Sequence, residues 1–379
     1  MTGSRAEYGI IYWVLRELER DPNVDLQIVA TGMHLSPEFG LTFQQIEQDG
    51  FAISAKVEML LSSDTPVGIA KSIGIGVIGF ADAIERLSPD LIVLVGDRFE
   101  MLAAAQAALV AGIPIAHLCG GDTTEGAYDE AIRHSLTKMA HLHFPTNQVA
   151  AQRIVQLGEN PDHIYNFGST QLDHLHRTEL LSRAELEESL RFELHPRNLL
   201  VTVHPVTLDS RSSADQCGEI LAALASLEGD IGFIFTLPNA DNDGRIVVDM
   251  IRAFVDKVGT RAVAYHSLGS VRYLSTLAAV DVVVGNSSSG IIEAASFHKP
   301  SVNIGDRQRG RVRPSSVMDC DVERGAIAGA IVRALESDCS GVFNPYGDGH
   351  SAALVAQKLS EVSLDGLLQK RFHSIGAAP

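Results

Sequence analysis

Short, β-branched apolar runs alternate with helical patterns twice along this chain, and that alternation restricts the fold more than any single motif. The first series comprises DLQIVATG at 25–32, DLIVLVGD at 90–97, IPIAHLCGG at 113–121 and LHFPT at 142–146. Between them, segments such as AEYGIIYWVLRELERD at 6–21 and FEMLAAAQAALVAG at 99–112 carry apolar residues at helical spacing. Strands linked through helices run parallel, which predicts an α/β fold. A charged, helical-looking stretch at 176–196 closes the series. A second follows: NLLVTVHP at 198–205, IGFIFTLP at 231–238, RAVAYHS at 261–267, VDVVVGN at 280–286 and PSVNIG at 300–305. The 379 residues exceed the ~250–300 at which single cores tend to divide. Two Rossmann-like, doubly wound domains are expected, divided near 170–196, with the site in the cleft faced by the carboxyl ends of both sheets.

The first half departs from that pattern at its start. MTGSRAEYG is a glycine turn running straight into a helix, whereas a Rossmann-type half opens with a strand. No apolar run is expected to reach the ~18 residues of a membrane span. The charged N-terminus lacks the apolar core of a secretory signal, so a cytoplasmic protein is expected.

Thirty basic against 47 acidic side chains give a formal charge of −17, which disfavours nucleic acid and anionic membrane surfaces as partners. A phosphorylated ligand would need a local basic patch. GDRQRGRVR at 305–313 supplies one, with Arg307, Arg309, Arg311 and Arg313 just beyond a strand. Cys119, Cys217, Cys320 and Cys339 lie far apart with no CxxC pair and read as reduced thiols rather than metal ligands.

GNSSSG at 285–290 leaves an apolar strand through a glycine and three serines. Hydroxyls and free N–H groups at a helix start can cradle a phosphate, and Glu293 about two turns in could accept paired ribose hydroxyls. An ordinary serine cap is the alternative. TGSRAEYG places Gly3, Ser4 and Arg5 at another helix start, open to the same two readings. His204 closes strand LLVTVHP and could donate to a ligand phosphate or hydroxyl. Asp97 ends one strand, Asp122 follows another, and Glu125, Asp129 and Glu130 come next in TTEGAYDEAIRH. Carboxylates collected at strand ends suit general acid and base work, although Asp129 could also cap a helix. GIGVIG at 74–79 matches a dinucleotide fingerprint but lacks a preceding strand, so it reads as close packing within a helix. His134, His141 and His143 read as core or supporting histidines, not metal ligands.

Taken in order, TGSRAEYG, ATGMHLSPEFG, VGDRFEMLAA, HLCGGDTTEGAYDEAIRHSLTK, VHPVT, PNADNDG, GNSSSGIIE and NIGDRQRGRVR resemble the UDP-N-acetylglucosamine 2-epimerase family, most of all its hydrolysing branch, from residue 2 to about 347. The resemblance implies a fold of the GT-B type: an N-terminal domain at 1–172 with the catalytic acids, a UDP-binding domain at 173–350, and a helix within 351–379 that packs back on the first domain. It also implies a UDP-sugar as the partner, a homo-oligomer, and neither cofactor nor metal.

By the same resemblance, Arg5, His204, Asn239, Ser287, Ser288, Glu293 and Arg307 bind the UDP part. Asp97 and Asp129 carry proton transfers, oriented or balanced by Arg98, Arg133 and His134. The implied reaction converts UDP-N-acetylglucosamine and water to N-acetylmannosamine and UDP, for sialic acid-type synthesis. The C2 proton leaves as UDP departs from C1, and the resulting glycal takes up water at C1 and a proton on the opposite face of C2. A related branch acts on UDP-2,4-diacetamido-2,4,6-trideoxy sugars on the way to legionaminic acid. A non-hydrolysing epimerase, a GT-B glycosyltransferase and a non-catalytic sugar-nucleotide sensor are the further alternatives.

Two departures stand out. Relatives carry H-I-E-G-G-E where this chain has His117-Leu118-Cys119-Gly120-Gly121-Asp122, so Asp122 or Glu125 is expected to supply the carboxylate replaced by Cys119. Relatives also have apolar residues ahead of the TGSRAEYG motif, which implies a strand encoded upstream of Met1.

Overall fold

Every strand pairing among the described residues is parallel, as strands joined through helices require. The computed structural model describes residues 1–61, 63, 65–125, 128–206, 211–238 and 244–376. Its contacts divide the chain into two units: Met1–Thr123, Tyr128–Asp173 and Tyr346–Pro379 in the first, Thr124–Ala127 and His174–Pro345 in the second.

In the first unit β1 (Ile28–Thr31) pairs with β2 (Ile53–Val57), while β3 (Ile92–Val95), β4 (Ile115–Leu118) and β5 (Leu142–Phe144) form a separate ladder in that order. Met1 and Thr2 connect the two. The Thr2 N–H donates to the Val29 carbonyl and its carbonyl accepts from the Thr31 N–H, both at 3.1 Å. The Met1 ammonium donates to the Val93 carbonyl on the other side at 2.9 Å. Thr2 thus forms an isolated parallel bridge to Ala30 ahead of the first helix.

Successive strand residues point to opposite faces, and both faces are apolar. Val29, Leu94 and Ile115 pack with Phe80 and Met101, whereas Ile28, Ala30, Val95 and Leu118 pack with Val14 and Val355. The helices of the unit are α1 (Arg5–Arg20), α2 (Phe43–Gln48), α3 (Pro66–Leu87), α4 (Phe99–Ala111), α5 (Asp129–Met139) and α6 (Gln148–Gln156), joined by the last helix of the chain, Ser351–Glu361. Ser4 caps α1, its hydroxyl accepting from the Glu7 N–H at 3.4 Å, while the Glu7 carboxylate reaches back past the cap to accept from the Gly3 N–H at 2.8 Å.

Helix α3 corrects one expectation, because its 22 residues are long and apolar enough to cross a membrane by length and composition. Here it lies along α4 and over β2. A Cβ on Gly76 would stand 2.7 Å from the Met59 methyl and 3.0 Å from the Ala103 Cβ, and one on Gly79 would stand 2.8 Å from Val57. Gly76 and Gly79 of GIGVIG thus serve close packing, whereas a Cβ on Gly74 would meet open space.

The second unit has one six-stranded sheet, with β6 (Arg197–Thr202), β7 (Ile231–Thr236), β8 (Ala262–Tyr265), β9 (Val282–Gly285), β10 (Ser301–Ile304) and β11 (Val317–Cys320) in the order β11-β10-β9-β6-β7-β8. The chain runs outward from β6 through β7 and β8, then returns to β9 on the other side of β6. Ligands of doubly wound sheets bind at such a reversal, outside the carboxyl ends of its two central strands. In this unit that place is set by His204 and Asn286.

Candidate active site

In the first unit, the acids stand at the carboxyl end of β3 and the start of α5. Gly96, with φ +74°, turns the chain out of β3 so that Asp97 and Arg98 follow at the sheet's edge. Arg133, one turn into α5 and 2% exposed, contacts Asp97 through Nη2. Its Nη1 donates to Glu130 Oε2 and to the Asp122 carbonyl, each at 3.0 Å. Burial works against the charge of this guanidinium, but Asp97 and Asp122 beside it raise it above the usual arginine value. His134 Nε2 lies 3.0 Å from Glu130 Oε1. Burial, then the Asp97 charge, raises the Asp129 carboxyl above the usual carboxylate range.

Arg98 holds both Glu100 oxygens, at 3.2 and 3.4 Å from Nε. Glu100 is fully buried beside Gly3 and Gly32, where a Cβ on Gly32 would stand 2.7 Å from its Oε1. Arg5 is the first residue of α1, two residues after Gly3. Buried His34 accepts or donates at both ring nitrogens, 3.0 Å from Thr2 Oγ1 and 2.8 Å from Thr42 Oγ1, and burial pushes it down to about 4. His117, likewise pushed down to about 4 by burial, supports the turn from below through the Gly96 carbonyl at 2.7 Å.

Asp122 is one of the two carboxylates expected to supply the one replaced by Cys119. It is 6% exposed, and its two oxygens accept from Thr146 Oγ1 at 3.0 Å and Asn147 Nδ2 at 2.9 Å. Its carboxylate is thereby committed to fastening the β4 and β5 loops. Glu125 belongs to the second unit, where it pairs with Arg309 at 3.2 Å. The carboxylate joined to Asp97 through Arg133 is Glu130. Cys119 itself holds φ +63°, a conformation that the glycine-rich turn imposes on a side chain with a Cβ.

His141 and His143 serve the fold, as expected. His141 Nδ1 accepts from the Ile115 N–H at 3.1 Å, and His143 Nε2 lies 3.0 Å from Glu159 Oε2.

In the second unit, Gly285 leaves β9 with φ +136°, and a Cβ there would stand 1.9 Å from the Thr202 carbonyl oxygen. Only glycine fits this crossing of β9 and β6. The next residue, Asn286, clamps the β6 end: its Oδ1 accepts from the His204 N–H and its Nδ2 donates to the His204 carbonyl, both at 2.8 Å. Arg307 and Gln308 donate to the Asn286 carbonyl at 3.0 and 2.9 Å. Burial, then the Arg307 charge, pushes His204 down to about 3, so its ring is neutral.

The helix after GNSSSG is shorter than expected. It is the single turn α12, Ser289–Ile292, which follows α7 (His174–Arg177), α8 (Arg183–Leu190), α9 (Ser213–Ala225), α10 (Gly244–Val258) and α11 (Gly269–Ala279). Ser287 and Ser288 precede it half-buried, Ser288 makes no capping bond, and Glu293 is buried directly after the turn rather than two turns in. Of the four arginines, only Arg307 reaches the Asn286 group; Arg309 pairs with Glu125, and Arg313 with Asp319 at 2.8 Å. Asn239 and Thr207 lie outside the described residues.

Sequence reasoning missed Glu7, Glu100, Asn286 and Gln308. The Ser4-x-x-Glu7 spacing could have flagged Glu7 as a helix cap. Nothing in the spacing of the other three signals their partners.

These two groups of residues sit in a chain with plain relatives. The family described as UDP-N-acetylglucosamine 2-epimerase matches residues 16–360. A Campylobacter jejuni protein named GDP/UDP-N,N'-diacetylbacillosamine 2-epimerase (hydrolyzing) is 38% identical over 322 residues, covering 85% of this chain and 83% of its own. A Legionella pneumophila protein named UDP-N,N'-diacetylbacillosamine 2-epimerase (hydrolyzing) is 35% identical over 364 residues, covering 96% and 95%. Among solved structures, UDP-GlcNAc 2-epimerase from Neisseria meningitidis bound to UDP-GlcNAc superimposes with a TM-score of 0.80 at 17% identity, covering 94% of this chain and 97% of that one; at this identity the likeness speaks for the fold alone. With a match over residues 16–360 and relatives above one-third identity along most of both chains, the protein belongs to the UDP-N-acetylglucosamine 2-epimerase family.

Proposed function

We propose that the protein is a hydrolysing 2-epimerase of a UDP-activated 2,4-diacetamido-2,4,6-trideoxy sugar. The observation that carries the reaction is the Asp97–Arg133–Glu130 array with Asp129 beside it, several carboxylates held around one buried guanidinium. The names of the relatives at 38% and 35% identity support the diacetamido substrate over UDP-N-acetylglucosamine.

In this reading Asp97 takes the C2 proton while UDP leaves C1 with the bonding pair, which gives the glycal. Asp129, whose raised carboxyl holds a proton more readily, returns one to the opposite face of C2. Glu130, oriented by His134 and Arg133, accepts a proton from the water that adds at C1, in place of the carboxylate that Cys119 cannot supply. Arg98 and Arg133 offset the negative charge of the acids. His204, Ser287, Ser288, Glu293 and Arg307 hold the UDP, with Glu293 on the ribose and the serines at the phosphates; Arg5 and Asn239 are assigned to the same part.

The test is a proton NMR time course in deuterated water with each of the two UDP-sugars. Release of UDP together with a 2-epimerised sugar deuterated at C2, faster from the diacetamido substrate, is the expected result. Faster turnover of UDP-N-acetylglucosamine would overturn the substrate assignment, and two intact UDP-sugars would overturn the reaction.

A further inference from the structure

Helix α5 carries acids at one end and meets a charge cluster at the other. Asp129 and Glu130 lie in its first turn, with Arg133 and His134 one turn on, while its last residues, Lys138 and Met139, lead through Ala140 to β5. Its 11 residues span about 16 Å at 1.5 Å per residue.

The far end is held by Glu159, which follows α6 and is 2% exposed. Glu159 Oε1 accepts from Lys138 Nζ at 2.6 Å and Oε2 from Lys370 Nζ at 2.6 Å, with His143 Nε2 3.0 Å from the same Oε2. Burial works against the charge of this carboxylate, but the bonds from His143, Lys138 and Lys370 hold it down to about 2. Lys138 Nζ also donates to the Leu157 carbonyl at 3.0 Å.

Lys370 comes from the segment after the helix Ser351–Glu361 and lies 232 residues beyond Lys138. An ammonium has three N–H donors. Lys370 directs them to Glu159, to the Lys138 carbonyl at 2.8 Å and to the Ala140 carbonyl. The last carbonyls of a helix lack partners within it, and positive charge is favoured beside them. Lys370 thus caps α5 with a group from a distant part of the chain. Two contacts seat its segment: the His373 N–H donates to the Gly158 carbonyl at 2.8 Å, and Phe372 covers Gly158 so closely that a Cβ there would stand 2.4 Å from the ring.

Successive turns of a helix are hydrogen-bonded to one another, so an end that is fixed along the axis fixes the other end. We propose that Lys370 is a positioning residue: by capping α5 and binding Glu159 it sets the axial position of the helix, and with it the placement of Asp129 and Glu130 against Asp97. This assignment rests on the reaction proposed above. A misplacement of about 1 Å at reacting groups can cost up to ~100-fold in rate, which gives a remote cap a measurable effect.

The experiment compares the full chain with Lys370→Met, which keeps the aliphatic stem and loses the donors, and with Lys370→Arg, which keeps a charged donor. With the diacetamido UDP-sugar, at a temperature where each protein is folded, Lys370→Met should lower kcat about 10-fold with KM within about 3-fold, and Lys370→Arg should recover most of the loss. In the free protein, Lys370→Met should move the backbone amide NMR signals of 129–134 as well as those of 137–141. An unchanged kcat with a lowered melting temperature, or amide changes confined to 137–141 and the neighbours of Glu159, would overturn the proposal and leave Lys370 a purely structural residue. Should Lys370→Met not fold, both readings are taken on Phe372→Ala, which loosens the same segment at a ring that is 71% exposed. If the parent chain turns over neither UDP-sugar, the proposed reaction fails, and the amide signals of 129–134 still decide whether Lys370 positions α5.

Discussion

Glu7 offers a quantitative check on the buried group beside the acids proposed to act in catalysis. It is 4% exposed, its Oε2 accepts from the Gly3 N–H, and its Oε1 has no hydrogen-bond partner among the described residues. Burial, then the neighbouring Glu100 carboxylate, lifts it from 4.5 to about 7. Between those values the folded chain holds a proton that the unfolded chain has released, so this residue lowers stability as pH rises through the window. At about 1.4 kcal/mol per pH unit the cost reaches roughly 3 kcal/mol above pH 7. Glu7→Gln removes the charge while its amide oxygen can still accept from Gly3, since glutamine serves the same cap. In urea unfolding the variant should match the parent at pH 4.5 and exceed it by roughly 2–3 kcal/mol at pH 8. The same difference at both pH values would refute the burial argument, because a lost contact carries no such pH dependence.

Asp97→Asn should cut turnover by at least ~100-fold while UDP affinity, read by calorimetry, stays within a few-fold. Glu130→Gln should lose turnover with its melting temperature nearly kept, whereas Asp122→Asn should lose stability first, by roughly 1–3 kcal/mol, since a buried amide cannot accept from both Thr146 and Asn147; the opposite pattern would return Asp122 to the chemistry. Gly285→Ala should destabilise the second unit by roughly 3 kcal/mol or more and abolish UDP binding, because its Cβ would strike the Thr202 carbonyl. The His204 ring, followed by NMR in the free protein, should not titrate between pH 5 and 8: a ring pushed down to about 3 remains neutral there, and a titration near pH 6.5 would contradict that state of His204.

Much of the fold is legible in the sequence because buried parallel strands are continuous apolar runs. Eight strands fall within the runs at 25–32, 90–97, 113–121, 142–146, 231–238, 261–267, 280–286 and 300–305, and β6 begins one residue ahead of the run at 198–205. The two that escaped, β2 and β11, lie at sheet edges, where their partly exposed residues, Ser54 and Lys56 in one and Asp319 in the other, leave no unbroken apolar run to read. Helix α3 was legible as a helix, but its membrane-like length was underestimated because its glycines interrupt the apolar pattern without ending the helix.

What the sequence by itself determined is the inventory: two series of parallel strands, carboxylates at the strand ends of one and the glycine-serine turn of the other, and the motif order that marks the family. Local periodicity and turn chemistry suffice for these, since each depends on neighbours in the chain. Only the tertiary structure decided which polar groups are committed and which are available. Asp122 and Glu130 are both acids in the same loop-to-helix segment, yet one is fastened by Thr146 and Asn147 and the other faces Arg133 and His134. Asn286 and His204 are 82 residues apart and become a single clamp because β9 lies beside β6. Such partners are set by sheet order and register, which bring distant residues within hydrogen-bond reach and leave no periodic trace in either segment.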